Sequence, residues 1–478
     1  MNDKSRYQQV ILAIAALLLC MASVKIPIFW DNVLQASRVA HHFYENGLWP
    51  PLLSPEIDTG HPPCFGLYLA LCWKIFGRNL LVSHLAMWPV LYLLFSGWYS
   101  LCKYYIKENT TLVLAVIIGL LESAVFTHLL MVGPELLLIA GVISAYYSLI
   151  TRNYLAISIL YILLVMVSIR GTIWVLAFFP LTISLHYGAY KSWWRDWRWQ
   201  EFMPYIISAL VALCWYGYHY KAMGYVTDNP QNTWSSSYRW IPLREVIIQW
   251  SYVAWRFIDQ GRIIVLLLIP LLAYHTRNKA NPSITTSPLL LFLITGIAFV
   301  ILVTLRPATS VPRYFIPLYM GGSLVFFYYL QFFGSLLHKL FLGVLVAGFY
   351  LSGHLWIYPE RIYQAWDCTL MHLSYYPLKD AMKDSLEKMH ILLGETGTGS
   401  PLITPDKYTL LNNDTAAFMP IKDLNNEFLH YAADCRMCNG LSLSQKHELA
   451  IKWRKIAEWK NGIQHIKLYE NPAWTNVK

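Results

Sequence analysis

The residues able to do chemistry in this chain are acids and guanidinium groups set at the ends of apolar runs. Asp31 follows the first run directly, in Phe29-Trp30-Asp31-Asn32. A carboxylate placed where a membrane span has just ended is costly unless it is solvated or used. Glu135 opens another run in Gly133-Pro134-Glu135, Arg170 opens a third in Arg170-Gly171, and Arg306 and Arg313 flank the Pro-containing break between two later ones. His61 stands in Gly60-His61-Pro62-Pro63. On the topology derived below, these residues share one side of the membrane with Glu56, Asp58, Arg239, Arg244 and Arg256. Guanidinium groups there can clamp a phosphate bidentately, and an acid facing them suits a general base. The chemistry implied is group transfer from a phosphorylated, membrane-borne donor. Blander roles stand beside this one. Asp31 could cap a helix starting at Asn32 or Val33, Glu135 could sit at a helix N-terminus for the macrodipole, and Arg239, Arg244 and Arg256 could snorkel to headgroups. Glu122, inside an apolar run, reads first as a buried, hydrogen-bonded carboxyl. The loop surrounding Asp31 puts its catalytic reading ahead.

That loop runs from Trp30 to Gly77. From Asn32 to Asn46 the helical period places Val33, Ala36, Val39, Ala40 and Phe43 on one face and Gln35, Arg38, His42 and Glu45 largely opposite. The apolar run Cys64 to Phe76 has only about thirteen residues and is interrupted by Lys74, too short to span a bilayer. Both read as interfacial helices joined outside the membrane. Hydrophobic content of 56%, charged content of 13% and a mean hydropathy of +0.40 place the rest among polytopic membrane proteins. The net charge of +10 is no sign of nucleic acid, because much of the excess falls in short loops where it sets orientation. Val10 to Phe29 follows Lys4 and Arg6, lacks a small-x-small cleavage site and reads as a retained anchor with the N-terminus cytoplasmic. Lys103, Lys107, Arg152, the Trp-rich segment with Lys191, Arg195 and Arg198, and then Arg277 and Lys279 mark the inside. The count is about eleven spans, with the C-terminal part outside.

Two domains are expected: 1–358 in the membrane and a small extracytoplasmic α/β domain at 359–478, of about 120 residues. Helical patterns lie near 378–393 and 445–460, and strand-like runs near 408–411 and 466–469. Gly394 to Ser400 lacks a phosphate-loop ending and reads as a flexible linker. Cys435-Arg436-Met437-Cys438 has no second pair and reads as a local disulfide outside the cytoplasm.

Trp30-Asp31 with its amphipathic helix, Leu48-Trp49-Pro50-Pro51, Gly60-His61-Pro62-Pro63 and Lys74-Ile75-Phe76-Gly77 resemble the first external loop of GT-C-type glycosyltransferases, nearest the protein O-mannosyltransferase and aminoarabinose transferase group. Gly133-Pro134-Glu135, Arg170-Gly171 and Arg313-Tyr314-Phe315-Ile316-Pro317 are similar in order and sidedness, so the resemblance covers about residues 8 to 330. It implies Asp31 as catalytic base with Glu135 beside it, and Arg170 and Arg313 on the phosphate of a polyprenyl-phosphate (undecaprenyl-type) sugar donor, joined as phosphate contacts by Arg306 and His61. It also implies a multi-pass protein of a bacterial inner membrane. The acceptor could be lipid, glycan or protein. No cofactor is called for beyond a possible divalent metal, and the family's second acid is Asn32 here, while its lysine before Pro-Pro is His61. The expected function is inverting sugar transfer at the extracytoplasmic face. The rivals are a glycan polymerase or ligase of another membrane class, which should tolerate loss of Asp31, and a flippase or transporter, for which Glu122 alone is suitably placed.

Overall fold

The computed structural model describes residues 3–190, 198–231, 239–280, 287–307, 310–360, 362, 364–421, 423–424, 426 and 428–475. The tryptophan- and lysine-bearing stretch at 191–197 lies outside them. A helix occupies each stretch read as a span, from Asp3–Ser23 and Trp88–Tyr105 through Pro134–Ile150, Tyr154–Val167, Ile169–Tyr190 and Trp199–Met223 to Ile263–Thr276, Pro288–Val303, Ile316–Leu330 and Leu336–Ser352. Among the described residues, four helices are long and apolar enough to cross a membrane, or five if the pair Asn109–Ile118 and Ser123–Leu129 counts as one span. That pair is bent by 72°, and Glu122 sits at the break. Several of the remaining apolar helices are 14 to 17 residues long.

The first external loop holds three helical pieces. Val33–Arg38 is a π-helix that continues as the α-helix Val39–Asn46, and Cys64–Phe76 packs across both. The face predicted from periodicity is the buried one: Val33, Ala36, Val39, Ala40 and Phe43 are all within 5% of full burial. The close approach is set at Gly66, where an added Cβ would lie 2.2 Å from the Val39 side chain. Opposite this contact Ile75 and Phe76 remain exposed.

The C-terminal part contains a five-stranded mixed sheet of order β2-β1-β3-β5-β4, with β1 Thr396–Thr398, β2 Met419–Pro420, β3 Tyr431–Cys435, β4 Arg454–Asn461 and β5 Gln464–Glu470. Several expectations are corrected here. The glycine-rich stretch is no linker: it forms β1, fully buried between two parallel neighbours. Gly397 is needed because a Cβ there would meet Ile421 and Leu429 at 2.5 Å or less. The apolar run at Tyr408 is the end of a short helix, Asp406–Thr409, whose Asp406 binds Lys379 and Lys383 of the helix Tyr375–Lys388, so tertiary ion pairing outweighs β propensity. The pattern at 445–460 splits into helix Leu443–Lys452, opened by a Ser442–Gln445 capping box, and strand β4. Cys435 and Cys438 are not joined: both are free thiols, at the end of β3 and in the turn after it.

This part is not hung from the membrane helices by a tether. Phe29, Trp30 and Met131 share one apolar core with Trp366, Tyr375, Leu378 and Met382. Ile28 N–H donates to Thr409 O at 2.9 Å, and Ser37 Oγ donates to Tyr408 O at 2.7 Å. Contacts thus cross the boundary expected at residue 359, with Phe29, Trp30 and Met131 built into the core of the C-terminal part.

Candidate active site

Asp31 lies at the turn between the first helix and the π-helix. Trp30 adopts φ +57°, a left-handed conformation unfavourable for a bulky residue, and its indole is packed against Phe29, which stacks on His372 at 4.9 Å. The C-terminal part thus clamps the residues just before Asp31. The helix cap is Asn32 and has no side-chain cap bond, so Asp31 is not capping. Its Oδ2 accepts instead from Arg313 Nη2. Asn32, where the resemblance expects a second acid, is buried against Met131 Sδ (3.6 Å) and so close to Gly133 that a Cβ there would fall 1.9 Å from Asn32 Oδ1. A carboxylate at that position would be desolvated beside Asp31. The amide is the physically compatible residue.

Arg313 sits in the 3-10 turn Pro312–Phe315 and bridges two acids, giving Nη2 to Asp31 and Nη1 to Asp367 Oδ2. Glu135, in the first turn of Pro134–Ile150, accepts both of its bonds from Arg170 Nη1, at 2.7 and 2.6 Å. Arg170 is presented by the tight Ser168–Gly171 turn, in which a Cβ at position 171 would lie 1.8 Å from Leu164 O. The two guanidinium groups flank one ring, with Arg170 Cζ 4.2 Å and Arg313 Cζ 5.4 Å from the Tyr314 centroid. An aromatic ring near guanidinium groups stabilises them through its quadrupole. Glu135, Arg170, Arg313 and Asp367 are buried, while the Asp31 side chain keeps 22% exposure.

The two acids on Arg313 are driven apart electrostatically. Burial raises the Asp31 carboxyl above its ordinary value, with Arg313 opposing and Asp367 reinforcing the rise. Burial acts the same way on Asp367, but Arg313, followed by His128, outweighs it and holds that carboxyl below its ordinary value. Such a split is the pattern that separates a lasting counter-ion from a carboxyl able to exchange a proton. His61 feels both Arg170 and Asp58, and burial first, then Arg170, lowers it to about 4. It is neutral near pH 7, so a donor phosphate there would meet an uncharged ring and not the cation that the family's lysine supplies.

The expected residues Asp31, Glu135, Arg170 and Arg313 converge, with His61 adjoining Arg170. Arg306 goes elsewhere: its guanidinium lies 5.4 Å from the Trp240 ring and its carbonyl accepts from Gln249 at 2.7 Å. Arg256 pairs with Asp259 and Ser310 O, and Arg239 makes an exposed pair with Glu245. Glu122 is fully buried under Arg262 (2.7 Å) and Val125 N–H (2.9 Å), the hydrogen-bonded role read for it. Two members went unseen in the sequence. Asp367 carries no motif and lies beyond the last apolar run, and Tyr314 was noticed only as part of the Arg313 segment. His128, Asp367 and Cys368 form a group able to hold a cation, with Asp367 Oδ2 already engaged by Arg313.

Helices in this order, with a small sheet whose apolar core takes in Phe29 and Trp30, make a mostly helical, polytopic membrane architecture. No family model and no curated protein sequence matches the chain. Among solved structures it is similar to ArnT from Cupriavidus metallidurans. In the apo state the likeness covers 97% of this chain and 98% of that one, with a TM-score of 0.52 and 11% identity. In the structure bound to undecaprenyl phosphate it covers 70% of this chain and 62% of that one, with a TM-score of 0.52 and 12% identity. At that identity the likeness is one of fold, and the fold is the one the motifs implied.

Proposed function

We propose that this protein is an inverting glycosyltransferase that moves a sugar from a polyprenyl-phosphate donor to an acceptor hydroxyl at the extracytoplasmic face of a bacterial inner membrane. The chain would cross about eleven times, with the sheet-bearing part outside. The observation that carries the reading is the Asp31–Arg313–Asp367 bridge beside Glu135–Arg170: a partly exposed acid of raised pKa facing two buried guanidinium groups. The fold shared with a protein bound to undecaprenyl phosphate supports the choice of donor.

In this mechanism the acceptor oxygen attacks the anomeric carbon while Asp31 takes its proton. The new C–O bond forms as the bond from that carbon to the phosphate oxygen breaks. Charge grows on the departing phosphate, where Arg170 and Arg313 stabilise it. Glu135 and Asp367 fix those two cations without consuming all their donors, since a guanidinium offers five N–H groups. A donor phosphate reaching Arg313 competes with Asp31 for it and frees the base at the moment it is needed. One base and one anionic leaving group suffice for inversion by a single displacement, with Glu135 and Asp367 serving as counter-ions of Arg170 and Arg313. The test is transfer of a labelled sugar from a short polyprenyl-phosphate donor by the purified protein. The product should carry the anomeric configuration opposite to the donor, and retention would overturn the single-displacement scheme.

A further inference from the structure

Beside the proposed phosphate site lies a patch of buried polar atoms, of which the mechanism uses only the Asp367 oxygen that holds Arg313. His128 ends the helix Ser123–Leu129, and Asp367 and Cys368 lie on the 3-10 turn Trp366–Cys368. One ligand atom from each, an imidazole nitrogen, a carboxylate oxygen and a sulfur, lie within 4.8 Å of one another. All three residues are at least 98% buried. His128 Nε2 has no hydrogen-bond partner, an arrangement native interiors avoid unless water or an ion completes it. Arg313 donates to Oδ2 of Asp367, and the Cys368 thiol donates to Oδ1 at 3.7 Å, so thiol and carboxylate already meet. His372 Nδ1 is paired with Thr369 O at 2.7 Å, and its Nε2 is a second unpartnered nitrogen, close enough to feel the charges of Asp367 and His128.

We propose that His128, Asp367 and Cys368 bind a divalent cation of the zinc class, with water in the remaining position. A nitrogen, oxygen and thiol set selects such an ion over magnesium or calcium, which take oxygen ligands. The separations are those of a set that closes by small side-chain shifts onto bonds of about 2.0 to 2.3 Å. On binding, the sulfur–metal bond forms as the Cys368 S–H proton leaves to solvent, so the local charge rises by a single unit. That matches the surroundings, where three carboxylates (Asp31, Glu135, Asp367) face two guanidinium groups (Arg170, Arg313). The neighbouring cluster of Glu122, Asp259, Arg256 and Arg262 is already balanced. The ion would pin the turn after the last membrane helix to the broken helix pair. Through Asp367 it would fix Arg313, and it makes no contact with substrate.

The experiment uses the full-length protein in detergent, stripped with chelator and titrated with Co2+, then with Zn2+ in competition. Uptake of about one equivalent per chain is expected, with a near-ultraviolet thiolate-to-cobalt band that Zn2+ abolishes. Cys368→Ser should lose the band and Cys438→Ser should keep it. If Cys368→Ser does not accumulate, His128→Gln takes its place, and the wild-type band decides uptake by itself. Wild-type protein that takes up neither ion, or a band that survives Cys368→Ser, overturns the proposal. Because the readout is spectroscopic, its failure is distinct from failure of the transferase reading.

Discussion

At the scale of single residues, the account depends on two acids sharing Arg313 and behaving differently. Asp31 works only when ionised. Burial, opposed by Arg313, raises its carboxyl, so the base is lost as pH falls through a value above the ordinary ~3.9. The pH profile of kcat/KM should therefore show an acid limb displaced upward from the usual carboxylate range. His61, neutral above about 4, should contribute no limb near the ordinary imidazole value. Glu135 carries a different kind of prediction. Replacing it with Ala leaves Arg170 buried and uncompensated, at a cost of about 3–5 kcal/mol, readable as a loss of thermal stability as well as activity. Asp31, Arg170 and Arg313 could be read from the sequence, because a carboxylate directly after a span needs a use and arginines on the outer side oppose the orientation rule; Glu135 came with the resemblance. Asp367 could not, because an acid in a mixed polar segment breaks no rule, and its role exists only once the chain has folded back.

At the scale of elements, the apolar periodicity foretold the helices and the buried face of Val33 to Phe43, since burial and period arise from the same geometry. Glycine at position 171 is a steric requirement of the helix hairpin that presents Arg170. Gly171→Ala forces a Cβ against the Leu164 carbonyl and should cost about 1–3 kcal/mol while also lowering activity; thermal unfolding and transfer assays on one preparation check both. The sheet was harder to foresee. Its strand β1, between β2 and β3, is three residues of Thr-Gly-Thr, a composition that reads as loop until Ile421 and Leu429 are seen packed on Gly397. Helix Leu443–Lys452 and strand β4 follow one another without a turn signal, so one helical period was read across both.

At the scale of the whole molecule, the C-terminal part completes the site by supplying Asp367 and by clamping Phe29 and Trp30 ahead of Asp31. A chain ending after Leu355 should lose transfer even where its membrane helices insert. A separately expressed C-terminal part should not restore it unless it reseats on that core. The composition change at 359 was visible in the sequence, but the shared core across it was not, because its contacts join residues more than three hundred positions apart. The central claim, that Asp31 is the proton acceptor, is tested most directly by single-turnover transfer of a labelled sugar from a polyprenyl-phosphate donor to Asp31→Asn and wild-type protein, with donor binding measured in parallel. The account predicts that the variant binds donor but transfers about 10²- to 10⁴-fold more slowly. Wild-type transfer by Asp31→Asn would contradict it.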